Sequence, residues 1–453
     1  MNSERLPMGK KVYLETLGCA KNRVDSEIML AHLHRQGYQF TSDAEEAEVI
    51  IVNTCGFLSS ASQESITRIL ELSDLKGEGR CEKLVATGCV PQRYGSELNQ
   101  KIPEIDGLLG SNGFEQIPEL LDQLYRPDVQ SKMFIEDKPH YRQYEEQSRI
   151  QSTPSHFAYL KIAEGCSNMC SFCNIPLLRG NFSSRSIESL VRDFSSLIER
   201  GVCEINLLSQ DTSSYGRDLK DGTELAGLLH ALCQVPGDFW IRMFYCYPNT
   251  FSEEVLEVMS SDLRFCRYLD MPFQHISDSV LKKMNRKITR KGIEATMARV
   301  RSVLPDVAWR TTFIVGFPTE TEKDYEELVE FVSEGHFQHL GIFLYSDEDN
   351  IRSSRYGDPV PFAVKEERKN RLMEIQQKIS MKHNQKMVGS VQQVLVGGFS
   401  PETDLLLEGR NQFQGPEVDG VVYINEGTAS STGFQQVEIT EAHEYDLVGK
   451  ILS

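Results

Sequence analysis

The stretch EGCSNMCSFCNIPLLRG, Glu164 to Gly180, carries Cys166, Cys170 and Cys173 in the spacing C-x3-C-x2-C. Three thiolates are one more than a disulfide uses. They are one fewer than a structural zinc site needs, since such a site closes its tetrahedron with a fourth Cys or His. The nearest histidine, His156, lies ahead of the strand leading into the loop and is not expected to reach it. Thiolates are the usual ligands of iron-sulfur clusters, and a cubane bound by only three of them keeps one iron open to an outside ligand. A second set, Cys19, Cys55 and Cys89, follows the apolar runs in KKVYLETLGC, EVIIVNTC and EKLVATGC, and each cysteine adjoins a glycine, Gly18, Gly56 or Gly88. A lone cysteine of this kind is commonly a core residue. Three at equivalent positions predict a metal site.

The elements that must position these residues alternate strand and helix. Each of the three runs reads as a strand followed by an amphipathic stretch, the first near Val24 to Gln36 stopping at Gly37, the second in ESITRILELSDL. That alternation predicts a parallel sheet, whose strands present their carboxyl ends along one edge. Cys19, Cys55 and Cys89 should therefore converge. This first domain spans residues 10–136, and the polar stretch 137–156 reads as a linker. Over 157–386 six further strands are expected, in AYLKIAEGC, EINLLSQD, FWIRMFYCYP, YLDMPFQH, RTTFIVGFP and LGIFLYSD. Six strand-helix units predict a partial barrel, with the Cys166 loop at its mouth. Over 387–453 short strands between Gly, Asn and Pro turns predict a small β-barrel. The fold class is thus α/β, with a small all-β module at the end.

Composition excludes several classes. The chain of 453 residues has 48 basic and 66 acidic side chains, a net charge of -18. From Met387 onward ten acidic residues face only Arg410 and Lys450, a net of -8 (2 minus 10). Such a module repels a phosphate backbone and suits a basic protein. No apolar run approaches the roughly 20 residues of a membrane span, and the first residues lack a signal-peptide core, so the expected location is the cytoplasm. There thiols stay reduced, and the 11 cysteines read as ligands or core residues before disulfides. Cys81, Cys203, Cys233, Cys246 and Cys266 are given core packing. The GxGxxG, P-loop and HExxH patterns are absent, against a nucleoside-triphosphate enzyme or a separate zinc site. Glu164 and Arg179 flank the cysteine loop and read either as tuning it or as a surface pair.

The Cys166 loop resembles the motif of the radical S-adenosylmethionine (SAM) superfamily. There the open iron is chelated by SAM, and an electron from the cluster cleaves SAM to a 5'-deoxyadenosyl radical. LGCAKNRVDSE at Leu17 to Glu27, NTCGF, ATGCVPQR and GPEVDG at Gly415 to Gly420 extend the resemblance to the methylthiotransferases. The resemblance implies an N-terminal methylthiotransferase domain with an auxiliary 4Fe-4S cluster on Cys19, Cys55 and Cys89. It further implies a radical SAM core with a second 4Fe-4S cluster on Cys166, Cys170 and Cys173, and a C-terminal TRAM domain. Phe172 would lie along the SAM adenine. SQDTSSYG, with Gln210, and IVGFPTE, with Gly316 and Glu320, stand where such barrels contact the rest of SAM. No catalytic side chain is assigned.

Of the two branches of that family, GCAKNRVDSE resembles the RimO type, which adds a methylthio group at the β carbon of one aspartate in a small-subunit ribosomal protein, protein number twelve. The alternatives are the tRNA-adenosine branch, which tends to read GCQMN, and a non-catalytic iron-sulfur electron carrier. The acidic tail argues against direct tRNA binding and for a basic ribosomal protein. SAM would serve as methyl donor and as radical source. A low-potential donor such as flavodoxin or ferredoxin and a separate sulfur donor are the other implied partners.

Overall fold

The computed structural model describes residues 9–126, 132–137, 139, 149–428 and 432–452. These form two compact units. One comprises the described residues up to Ser152 with Ala163–Met169 and Cys173–Arg185; the other comprises Thr153–Ile162, Cys170–Phe172 and the described residues from Ser186 onward.

The first unit is built on a parallel sheet of β1 (Lys11–Thr16), β2 (Gln39–Phe40), β3 (Val49–Thr54), β4 (Lys83–Gly88), β5 (Gly107–Gly110) and β6 (Lys132–Phe134), in the order β2-β1-β3-β4-β5-β6. The run VIIVNT of β3 is buried at every position, as a strand covered on both faces requires. Ile50 and Val52 pack with Leu84, Ala86 and Leu108 against Ile69 and Leu72 of helix Ser59–Ser73 and against Val90 and Leu98. Register decides what happens at the edge. Thr16 pairs with Asn53 and Thr54 with Gly88, so β1, β3 and β4 end level and adjacent. The helix after β1 starts at Ala20, four residues before the expected Val24, because its first turns bury polar rather than apolar side chains. Two short strands, β8 (Ala163–Glu164) and β9 (Ser183–Ser184), pair antiparallel on either side of the cysteine loop in the chain.

The second unit contains all six expected barrel strands: β7 (Phe157–Lys161), β10 (Glu204–Leu208), β11 (Trp240–Met243), β12 (Tyr268–Asp270), β13 (Ala308–Val315) and β14 (His339–Leu344). They form two parallel three-stranded ladders, β11-β10-β7 and β12-β13-β14, linked by a bridge between Ile241 and Phe265 and by the Cys246 N–H bond to the Asp270 carbonyl at 2.8 Å. One face of the strands, with Ile205, Leu207, Met243, Leu269 and Phe313, packs in the main core with helix residues such as Phe194 and Leu228. Strict alternation puts Glu204, Asn206, Arg242, Tyr268, Asp270 and Arg310 on the other face, which is polar.

After the long helix Phe362–Gln385, five strands close a barrel: β15 (Val391–Ser400), β16 (Thr403–Asn411), β17 (Val422–Glu426), β18 (Gly433–Ala442) and β19 (Leu447–Ile451). The run QQVEITEAHEYDLVGKIL holds two strands, β18 and β19. The end of β16 and the segment after it are fastened to the amino-terminal ends of the larger barrel's strands. Arg410 pairs with Glu204 at 2.7 Å, Arg242 donates to the Gln412 carbonyl at 2.9 Å, and Tyr268 donates to Asp419 at 2.7 Å. Tyr159 donates to Glu417 at 2.7 Å. The small barrel therefore occupies the end opposite the loops that follow the strands, and two of its ten acidic side chains are spent on this seal.

His156 lies at the same junction, its ring filling the space where a Cβ at Gly397 would stand 2.5 Å from Cε1. Burial, with the nearby Arg410 charge, pushes its pKa down to about 4, and its Nδ1 has no partner. The folded pKa lies below the unfolded value near 6.5. Its contribution is then full above pH 6.5 and is lost as pH falls toward 4. His156→Gln should flatten the dependence of the unfolding midpoint on pH between 6.5 and 4, read by urea titration.

Candidate functional site

The carboxyl edge of β1, β3 and β4 carries the first three cysteines. Cys19 holds an extended backbone just before its helix, Cys55 follows Thr54 directly, and Cys89 opens the helix Cys89–Lys101. The glycines beside them make the approach possible. A Cβ at Gly18, where φ is +88°, would lie 2.5 Å from the Cys55 Cβ and 2.9 Å from its Sγ. One at Gly56 would meet the Cys89 carbonyl at 2.9 Å. Burial pushes the Cys55 thiol up to about 11, and the neighbouring Cys19 and Cys89 add to the shift. Burial likewise raises Cys89, against the opposing charge of Arg179. The edge thus puts Cys19 and Cys89 within electrostatic reach of Cys55. Among the described residues no three His, Cys, Asp or Glu side chains are disposed to hold a single metal ion. A soft, all-thiol set with no hard oxygen donor fits an iron-sulfur cluster.

Arg179 is the residue that sequence reasoning left undecided, and it is no surface group. Its side chain is 1% exposed and that of Glu164 is fully buried. Nη1 lies 2.7 Å from Asp25 and 3.1 Å from Glu164, and Nη2 donates to Asn22 Oδ1. Burial alone would lower its pKa, but the Glu164 and Asp25 carboxylates outweigh it and hold the guanidinium charged. Asn22 in turn donates to the Leu17 and Thr54 carbonyls, both at 2.9 Å, at the strand ends that lead to Cys19 and Cys55. Nearby, Asn174 donates to the Phe57 carbonyl at 2.9 Å and Asn112 to that of Arg179 at 3.2 Å. The segment that follows the cysteine loop, Asn174 to Arg179, is thereby fastened onto the cysteine edge of the sheet. Asp25 and Asn22 stood inside a quoted motif without a role. The signal was there: Asn22 and Asp25, at i and i+3 of one helix, lie on the same side of it and are buried.

In the loop itself, Cys166 N–H donates to the Gly180 carbonyl at 3.1 Å, and Phe182 N–H to Ser167 Oγ at 3.1 Å. Gly165, at φ +71°, is required because any Cβ would strike the Asn181 carbonyl. Cys166 and Cys173 belong to the first unit, Cys170 and Phe172 to the second. All three cysteines are partly exposed. Phe172 packs against Ile314, Phe317 and Tyr345, beside the turn that carries Gly316. Gly316 follows β13 and Glu320 closes its turn. One Glu320 oxygen accepts from Gly316 N–H at 2.9 Å, and the other from Arg368 at 2.6 Å. Gln210, half-buried, follows β10, on the same carboxyl edge but three strands away. Phe172 thus packs beside the turn of Gly316, Glu320 is bonded to that turn, and Gln210 stands apart. Cys81, Cys246 and Cys266 are buried, whereas Cys203 and Cys233 are partly exposed.

Three family models match the chain: the uncharacterized protein family UPF0004 over residues 11–110, the radical SAM superfamily over 160–332, and the TRAM domain over 388–452. The chain is 44% identical to the ribosomal protein uS12 methylthiotransferase RimO of Geobacter sulfurreducens, covering 98% of this chain and 99% of that one. It is 45% identical to the protein of the same description from Myxococcus xanthus, covering 98% and 92%. Among solved structures it is similar to the radical SAM methyltransferase TsrM from Kitasatospora setae, with TM-score 0.56 and 14% identity over 85% of this chain and 81% of that one. The cobalamin-dependent radical SAM enzyme OxsB gives TM-score 0.53 and 12% identity over 82% and 56%. At such identities these two show the fold alone.

Gly18→Ala combines a left-handed φ with overlap onto Cys55. It should cost about 1–3 kcal/mol of stability. Iron uptake at the first cysteine set should fall after anaerobic reconstitution, while that of the Cys166 loop is kept.

Proposed function

The chain belongs to the RimO family of ribosomal protein uS12 methylthiotransferases, and from that membership we propose that it adds a methylthio group at the β carbon of one aspartate of ribosomal protein uS12. It is a radical SAM enzyme, and its cofactors are SAM and iron-sulfur centres. The observation that carries the finer reading is the pair of cysteine triplets: one on a level sheet edge, the other on the loop that follows the first strand of a parallel barrel.

In this reading Cys19, Cys55 and Cys89 hold one 4Fe-4S cluster and Cys166, Cys170 and Cys173 a second. When bound, the two would supply one-electron cleavage of SAM and a place for the sulfur to be inserted. The chain's own part is placement. Phe172 offers an apolar face for the SAM adenine. Glu320, its charge matched by Arg368, fixes the turn at Gly316 that lies beside it. Gln210 would reach SAM from the far side of the barrel mouth. Burial of Cys55 and Cys89 raises their pKa values, so ligand deprotonation at these two would have to be driven by binding, and uptake there releases protons.

Charge supports a basic protein as substrate. With Glu417, Asp419 and Arg410 engaged by the larger barrel, eight acidic side chains of the C-terminal module (10 minus 2) remain against Lys450. A phosphate backbone gains nothing from such a surface, whereas a basic ribosomal protein does. A flavodoxin or ferredoxin would deliver the electrons and a separate donor the sulfur, in the cytoplasm.

Anaerobic reconstitution should give about eight irons per chain, two cubanes of four. The Cys19, Cys55, Cys89 triple alanine variant should keep about half and still convert SAM to 5'-deoxyadenosine. Mass spectrometry of ribosomal proteins and tRNA from cells lacking the gene should show the methylthio mass missing from uS12 and tRNA unchanged. The reverse pattern would overturn the choice of substrate.

A further inference from the structure

We propose that Arg286 is a positioning residue for the cluster on Cys166, Cys170 and Cys173, a buried cation that sets how readily that cluster accepts its electron. The inference rests on the reading of those cysteines as cluster ligands.

The turn after helix Asp278–Lys283 is tied to the cysteine loop by two hydrogen bonds. Ser171 N–H donates to the Met284 carbonyl at 2.9 Å, and Ser171 Oγ donates to the Lys283 carbonyl at 2.8 Å. Asn285, at φ +57°, takes the left-handed conformation in this turn, a form that asparagine tolerates better than most residues. Arg286 then lies against the loop. Its Nη1 donates to Cys170 Sγ at 3.6 Å, its Nη2 donates to the Pro272 carbonyl at 2.5 Å, and its guanidinium stacks on Tyr247 at 4.1 Å.

The side chain's surroundings are unusual for a buried charge. Arg286 is 7% exposed, its Nε has no hydrogen-bond partner, and among the described residues no Asp or Glu forms an ion pair with it. Arg179, by contrast, lies between two carboxylates. A buried cation without an anion is costly, and one ring face and one carbonyl do not offset it. The charge that completes the site is that of the Cys170 thiolate with the cluster it ligates. Reduction adds one negative charge to that cluster, and a cation held a few ångströms away stabilises the added charge. Arg286 therefore raises the potential of this centre, so that a low-potential donor can fill it.

The test uses the full chain with Cys19, Cys55 and Cys89 replaced by alanine, so that one cluster remains, reconstituted anaerobically without SAM and titrated by electron paramagnetic resonance at set potentials. With Arg286→Gln the iron content should stay at about four. The ratio of reduced to oxidised cluster at a fixed potential should fall about tenfold, about 59 mV for one electron. Arg286→Lys, which keeps the charge, should restore most of it. Full iron with an unshifted midpoint in Arg286→Gln would overturn the inference. Should that variant hold no iron, Arg286→Lys decides: a ratio equal to the parent's supports the role of charge, and a tenfold fall overturns it. If the parent itself takes up no iron, it is the reading of the cysteines that fails.

Discussion

A single buried guanidinium, Arg179, ties the segment after the Cys166 loop to the sheet edge that bears Cys19, Cys55 and Cys89. An arginine taken out of water is costly unless its charge and all its donors are met. Asp25 comes from the helix behind Cys19, Glu164 from the strand before Cys166, and Asn22 bonds onward to the ends of β1 and β3. The positions of Cys19, Cys55, Cys166 and the helix Ile175–Arg179 are therefore not independent. Removing any one partner leaves a buried charge exposed to the others' field. A surface ion pair, screened by water and salt, could not impose that constraint.

The second unit divides its labour along the barrel axis. The polar inner face of the strands is closed at the amino-terminal end by Arg410, Gln412, Glu417 and Asp419. The carboxyl end is left to Phe172, Gly316 and the Cys170 segment, where a parallel barrel's ligands belong. Buried polar contacts at the seal also bury part of the acidic charge that makes the module suited to a basic partner. Two arginines close to the cysteines differ in the same currency: Arg179 is matched by carboxylates, Arg286 by sulfur and a ring.

Much of this was legible in the residues. Cysteines beside glycines after apolar runs announced strand ends on one edge, since a parallel sheet places them there whatever the helices do. All six barrel strands lay in the runs expected, because their outward faces are apolar and their helices amphipathic. The short strands β2, β5 and β6 were not foreseen: two to four residues carry no period. The helix after β1 starts earlier than its apolar pattern because Lys21 and Asn22 are buried for polar reasons. The Arg179 pairing was out of reach for another reason. Its partner Asp25 stands 154 residues away in the chain, and no local pattern specifies a contact at that separation. Arg286 was passed over in a lysine-rich run that reads as an ordinary solvated face.

Arg179 and Asp25 act as one unit in joining the cysteine loop's segment to the first sheet, and a double-mutant cycle measures that directly. Urea unfolding of Arg179→Met, Asp25→Asn and the double variant should give a coupling energy of about 1–3 kcal/mol, because either single change strands the other group's charge. Effects that add to within about 0.5 kcal/mol would mean that the two groups are independent, and would contradict the account.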